Sequence, residues 1–412
     1  MSKSISGSST DRRPATTGKW TSYLGPGFIT AALVFGPGSL TVTSSLGASY
    51  GYSFLWIILI ATFFMMTFTG MAIRIGLATD QSLLATIRNK WGKQVSVVIG
   101  VGIFLVAASF QAGNAVGAGL AFSELSGTHI TPWIILFTLI SISLLFFKSF
   151  YKILEKLMLL LVSIMLISFI GTLVIIQPSL QGIAGGLVPT FPPGSVLLAI
   201  ALVASSFSIV GAFYQSYLVQ EKKWGKGQLK EAKAEGFSGI AVLGCIGAVI
   251  LMCAAVVLHP LDITITSAAD MGIAIEPLFG GFATTLFMVG LFGASFSSLI
   301  GNATIGGTLL GDALGYGSRL SELSTRMFIM GVMIAGAAVA VWFGGIPIDL
   351  IVFAQGVTIF IVPFIGIILY MTANSGDILG ELKNGFWSKF FGLLGLLVLF
   401  GLAFRNAYLI FN

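Results

Sequence analysis

Long apolar stretches separated by short polar ones run along almost the whole chain. Stretches of spanning length recur at about 24–46, 51–73, 94–121, 131–148, 152–176, 195–220, 236–258, 279–311, 325–344, 347–371 and 386–410. A helix that crosses a bilayer needs about twenty mostly apolar residues, so the pattern predicts eleven spanning helices in an all-α polytopic membrane protein. No polar linker divides the series, and a single membrane domain over 23–412 is expected after a cytoplasmic tail, 1–22.

The charges fall between the stretches in a biased way. With the N-terminus inside, the segments on the cytoplasmic side are the tail, about 74–93, 148–156, 221–235, 312–326 and 372–389. They hold twenty of the twenty-one lysines and arginines, Arg405 being the exception. Basic residues favour the cytoplasmic side, so the bias predicts a multi-pass cell-membrane protein with its N-terminus in and C-terminus out. It also accounts for the net charge of +6 without a nucleic-acid partner. The five lysines of 221–235 read as a solvated loop, and 259–278, with His259, Asp262, Asp270 and Glu276, suits an external lid or short helix.

Composition agrees: 56% of residues are hydrophobic and 9% charged, with a mean hydropathy of +1.00. That is too little charge to cover a water-soluble surface. Cys245 and Cys253 lie in one apolar stretch and read as packing residues. The polar, basic first twenty residues lack the apolar core of a signal peptide.

Two stretches are interrupted. The first contains Gly36-Pro37-Gly38-Ser39; the sixth is weakened at Ser205-Ser206-Phe207-Ser208 and at Gly211-Ala212. Breaks at matching places in two halves point to an inverted-repeat transporter with its site between them. The repeats are expected over about 23–176 and 195–371, with an extra helix at 386–410. At the first break Ser39 suits the N-cap of a new half-helix, whose free N–H groups favour an anion.

Every one of the fifteen acidic residues falls in a loop or near a helix end, and neither histidine lies in a predicted span. The spans hold neutral polar groups instead: Gln111 and Asn114 in the third, Tyr214 and Gln215 in the sixth, Ser295, Ser297, Ser298 and Asn302 in the eighth, Gln355 and Thr358 in the tenth.

Six short motifs are spread along the chain: Gly25-Pro26-Gly27-Phe28-Ile29, Gly47-Ala48-Ser49-Tyr50-Gly51-Tyr52, Leu154-Glu155-Lys156, Thr325-Arg326, Pro363-Phe364 and Ile378-Leu379-Gly380-Glu381. In these, and along most of its length, the sequence resembles the Nramp family of divalent-metal transporters. The resemblance implies a LeuT-type fold of five plus five helices and one more. The functional motifs depart from the family's pattern. Asp-Pro-Gly-Asn in the first helix is here Gly36-Pro37-Gly38-Ser39. Met-Pro-His in the sixth aligns with Ala212-Phe213-Tyr214, and an acidic pair in the third with Gln111 and Asn114. Gln355 is retained.

These replacements remove charge and soft ligands, and a divalent cation needs strongly donating ligands. The expected function is therefore alternating-access transport of a small organic carboxylate or zwitterion. Its site would comprise Gly36, Gly38, Ser39, Ala212, Tyr214, Gln215 and Gln355. The alternative is a divalent cation of the magnesium or manganese type, as the resemblance implies. No cofactor is expected. Na+ and H+ are the candidate coupling ions, with Ser297 and Ser298 facing the carbonyls of Leu33 and Val34 as a sodium site. Partners are the small-molecule or ion substrate and the lipid bilayer. No enzyme motif is present.

Overall fold

The computed structural model describes residues 36–411 apart from 321 and 344–346. In chain order the helices are α1 (Pro37–Tyr50), α2 (Leu55–Ala78), α3 (Leu83–Trp91), α4 (Lys93–Ser126), α5 (Ile130–Leu144), α6 (Lys148–Ile176), α7 (Leu180–Gly186), α8 (Val196–Ser206) and α9 (Ile209–Glu221). They continue with α10 (Leu229–Val257), α11 (Ala268–Ile273), α12 (Glu276–Phe279), α13 (Ala283–Leu314), α14 (Leu323–Trp342), α15 (Pro347–Val357), α16 (Val362–Asn374), α17 (Gly376–Leu379) and α18 (Phe386–Phe411).

Among the described residues eight segments are long and apolar enough to cross a bilayer, and they match the predicted spans two, three, five to nine and eleven. Span ten is the bent pair Asp349–Phe360 and Val362–Asn374. Span four is the 15-residue α5. Helix α1 is the second half of span one, whose residues 24–35 lie outside the described ones. A helix satisfies its backbone groups within one segment, without water, which is why apolar sequence of this length folds this way in lipid.

The buried side chains form two large apolar clusters. One joins α4, α5, α6, α13 and α14 through residues such as Ile134, Phe137, Met165, Phe287 and Val332. The other joins α2, α8, α9, α16 and α18 through Phe64, Phe68, Phe213, Leu369 and Leu399. Helices α1 and α15 contribute to both: Leu40 and Ile351 to the first, Val42 and Val352 to the second. Buried polar side chains occur along these helices, including Gln111, Asn114, Ser295, Ser298, Gln355 and Thr358. The outward faces carry large apolar residues such as Val98, Ile167 and Phe404, all mostly exposed, as a lipid-facing surface requires.

The basic end of the bundle is tied by polar contacts. Arg74 Nη2 donates to Asn384 Oδ1 at 2.5 Å, and Lys90 bridges Asp377 at 2.6 Å. The Tyr217 hydroxyl donates to Asp312 Oδ2 at 2.5 Å and accepts from the Leu84 N–H at 3.3 Å. Hydrogen bonds from Lys90 and Ser375 hold the Asp377 carboxyl down to about 2. A carboxyl whose pKa is depressed on folding adds its stability above the ordinary carboxylate range, and that contribution fades as pH falls toward 2.

At the other end, segment 259–278 contains the short helix expected there. Ser267 Oγ accepts from the Asp270 N–H, while Asp270 accepts from Thr266 and Ser267. Burial alone would raise the Asp270 carboxyl, but these hydrogen bonds outweigh it and lower the pKa. Glu124 accepts from the N–H groups of Ala268 and Ala269 at 2.9 and 3.0 Å, fixing α11 to the end of α4.

Without a hydrophobic force between helices in lipid, close backbone approach holds the bundle, and small residues permit it. Where α2 crosses α9, a Cβ added at Gly76 would lie 2.5 Å from the Ser216 carbonyl oxygen. Backbone cannot yield as a flexible side chain can. Gly76→Ala is expected to cost about 1–3 kcal/mol, measured as a lower melting temperature in detergent. Gly185→Ala, with nothing within 4 Å of the added carbon, is expected to leave it unchanged.

Candidate functional site at the breaks of spans one, six and ten

The first break follows from Pro37. Proline fixes φ and lacks an N–H, so it is best placed at the first position of a helix, where no partner is needed. Helix α1 starts there, with Gly36 extended at φ −99°, ψ 176° as its N-cap and no side-chain cap. This corrects the expectation for Ser39, which lies inside the first turn, its carbonyl accepting from Thr43 Oγ1 at 2.6 Å.

Span six breaks at Phe207 and Ser208, not at Gly211-Ala212. Phe207 leaves the helical region at φ −100°, ψ 66°, and Ser208 caps α9 by accepting from the Gly211 N–H at 3.2 Å. Ala212 continues the helix, its N–H donating to the Ser208 carbonyl. A serine hydroxyl supplies the cap that Gly211 cannot. The two halves still form one 26-residue span.

Span ten was expected to be continuous over 347–371. It is bent by 44°. The bend occupies the 3-10 turn Thr358–Phe360 and Ile361, just before Pro363 near the start of α16. Pro363 cannot donate to a carbonyl one turn back, so α15 ends and α16 starts anew. Thr358 Oγ1 donates to the Gln355 carbonyl at 2.8 Å, satisfying an acceptor at the bend.

These breaks bring some of the expected residues together. A Cβ built on Gly38 would lie 1.8 Å from Gln355 Nε2, so the amide of span ten rests directly on the break in span one. A Cβ on Gly36 would lie 3.2 Å from Ser298 Oγ and 3.3 Å from Asn114 Oδ1. Gly117 on α4 leaves room for Pro37 and for Ser295 Oγ, at 2.6 and 2.4 Å from the position its Cβ would take. The buried Gln355 Oε1 and Ser295 Oγ have no hydrogen-bond partner among the described residues.

Other expected residues lie in different surroundings. Tyr214 stacks on Tyr217 with centroids 6.0 Å apart. Gln215 Nε2 lies near Gly236 on α10, 3.5 Å from where its Cβ would be. Ala212 is fully buried in the second apolar cluster. Among the described residues, the side chains a Cβ at Gly36 or Gly38 would meet first are Ser298, Asn114 and Gln355. Ser297 is partly exposed beside Ser298 on α13. Leu33 and Val34 lie outside the described residues, so no sodium site is assigned to this set.

Asn114 and Ser295 were absent from the expected site. Their presence among the neutral polar residues of the spans was the available signal. Behind Asn114 stands a set of carboxamides. Gln111 Nε2 donates to the Leu299 carbonyl at 2.6 Å, and Asn302 Nδ2 to the Ala107 carbonyl at 2.7 Å. The Gln111 oxygen accepts from Asn302 at 3.2 Å and Asn114 at 3.4 Å. No group of three or more His, Cys, Asp or Glu suited to a metal occurs among the described residues. The lining thus combines neutral oxygens with the positive end of the α1 dipole.

The family profile described as "Natural resistance-associated macrophage protein-like" matches residues 27–411. The chain belongs to the Nramp family. Among curated Nramp relatives, the divalent metal cation transporter MntH of Deinococcus radiodurans is 25% identical over 95% of this chain and 89% of its own length. The protein of the same name from Chromohalobacter salexigens is 27% identical over 89% and 86%. A solved structure of the Eremococcus coleocola manganese transporter superposes with a TM-score of 0.77 at 20% identity, covering 95% of this chain and 87% of that one. MhsT in complex with L-phenylalanine aligns at 0.58 and 18% identity, covering 92% and 98%. These likenesses establish the LeuT-type fold. As a member of this family the chain is a membrane transporter, not an enzyme.

The Gly38–Gln355 contact gives a direct test. Alanine at 38 occupies the amide's place, and a glutamine side chain can swing away without unfolding the bundle. Gly38→Ala is expected to keep the melting temperature within a few degrees and to abolish most transport. Gln355→Ala should reduce transport similarly, with no further loss in the double variant. Full activity in Gly38→Ala liposomes would show that the contact is not part of the site.

Proposed function

We propose that the chain transports a divalent metal cation by alternating access, the ion resting at the break of span one with much of its hydration shell retained. The observation that carries this reading is the convergence of Asn114 Oδ1 and Ser298 Oγ on Gly36, with the unpartnered Gln355 Oε1 on the same seam. The curated relatives, named as divalent metal cation transporters, support it. A small organic carboxylate or zwitterion, favoured from the sequence, draws no support from them.

Physical chemistry limits what such a site holds. Neutral oxygens suit hard ions, and magnesium in particular keeps several waters in protein sites. A soft ion gains nothing here: the position that resembles the family's methionine is Ala212, and its methyl group is no ligand. The positive end of α1 opposes a dication, so retained water must screen the two. Fast, weak binding follows from that balance.

The test is uptake of Mn2+ and Mg2+ into liposomes containing the purified protein, beside a panel of amino acids and small carboxylates. Metal uptake is expected, and Gly36→Asp is expected to lower the half-saturating metal concentration at least tenfold. A carboxylate about 4 Å from a dication supplies about 8 kcal/mol of Coulomb energy at an effective dielectric of ~20, before the cost of desolvation, and only about 1.4 kcal/mol net is needed for tenfold. No metal uptake, with saturable uptake of an amino acid, would overturn the proposal.

A further inference from the structure

A carboxamide has nearly the same shape with its oxygen and nitrogen exchanged, so something must decide which end of Asn114 faces the break. The decision starts at two backbone carbonyls. The Leu299 carbonyl lies 2.6 Å from one end of the Gln111 amide, and the Ala107 carbonyl 2.7 Å from one end of the Asn302 amide. Two carbonyl oxygens repel at those separations, so both ends are NH2 groups. That sends the Gln111 oxygen to the other side, where the NH2 groups of Asn302 and Asn114 donate to it. With its donors turned to Gln111, Asn114 presents its oxygen to Gly36. Gln111 is fully buried and Asn114 nearly so, which keeps solvent from scrambling the order.

We propose that Gln111 is a positioning residue that sets the site's preference for cations by holding the Asn114 oxygen toward the break. The effect is transmitted from the main chain of α4 and α13 through three carboxamides. It involves no charge and no titrating group. The inference rests on the divalent-cation reading and adds to it a determinant of ligand sign that touches no ligand itself. Without Gln111 the Asn114 amide turns freely, and half its orientations aim NH2 at the ion.

The experiment is a double-mutant cycle on the purified full chain, read by thermal stabilisation with MnCl2 and by Mn2+ uptake in liposomes. Gln111→Met keeps the length and removes both polar atoms. It is expected to raise the half-saturating Mn2+ about fivefold, the size of one neutral hydrogen bond, with maximal uptake retained. In an Asn114→Ala background, Gln111→Met is expected to add nothing. A merely structural role for Gln111 would instead give equal losses in both backgrounds, and that result would overturn the proposal. If Gln111→Met does not fold, Asn302→Ala, which removes one fixed donor, replaces it in the same cycle with a loss of about twofold. Wild-type stabilisation by Mn2+ with an additive cycle refutes the relay and leaves the transport reading standing. Stabilisation by carboxylates and not by Mn2+ removes both.

Discussion

A chain crossing lipid must satisfy its backbone without water, and here a helix starts at Pro37, inside the apolar stretch 24–46. Everything around Gly36 follows from that start. Pro37 removes one donor at the new helix start, and Gly36 and Gly38 leave space for side chains from three other helices to reach the exposed backbone. Asn114 from α4, Ser298 from α13 and Gln355 from α15 fill it. These helices belong to both apolar clusters, so the break sits on the seam along which two packed bodies meet. Some of the polar groups there bond across elements, as Gln111 does with the Leu299 carbonyl, while Gln355 Oε1 and Ser295 Oγ are left without a partner among the described residues.

On the cation reading proposed above, the site would differ from a conventional metal centre in where its selectivity comes from. Fixed negative charge attracts a cation from a distance but tightens its hold on it. Oriented neutral dipoles act only at contact and let go more easily. Here the orientation is inherited from helical carbonyls, which cannot rotate. Carboxamides keep the same polarity throughout the physiological pH range, so the polarity of this lining does not change with pH.

The spans were legible because apolar run length is a strong signal in lipid, and the fold because spacing and motifs agree over most of the chain. Local breaks were harder to place. Pro37 fixed the first to within three residues, but the helix starts at the proline itself, because a missing N–H is harmless in the first turn of a helix. In span six the two candidates, 205–208 and Gly211-Ala212, competed, and the serine hydroxyl of Ser208 decided the matter by capping α9. The bend before Pro363 went unanticipated although the proline was plain. The flanking residues are uniformly apolar, and proline is tolerated in membrane helices when neighbours re-satisfy the freed groups. Of the residues singled out from the sequence, Gln355, retained in the resemblance, and Ser298, expected at a sodium site, lie beside Gly38 and Gly36. Asn114 and the turning away of Tyr214 and Gln215 depend on the rotation of each helix about its axis, which nearly all-round apolar faces do not encode.

The contact of Gln355 with Gly38 has a kinetic meaning. The amide fills the space a methyl group at 38 would take. On the cation reading proposed above, an arriving ion would therefore meet protein, not bulk water, at the break and would have to turn that side chain to gain its oxygen. Entry and exit would then each be coupled to one rotation of a side chain carried by another helix.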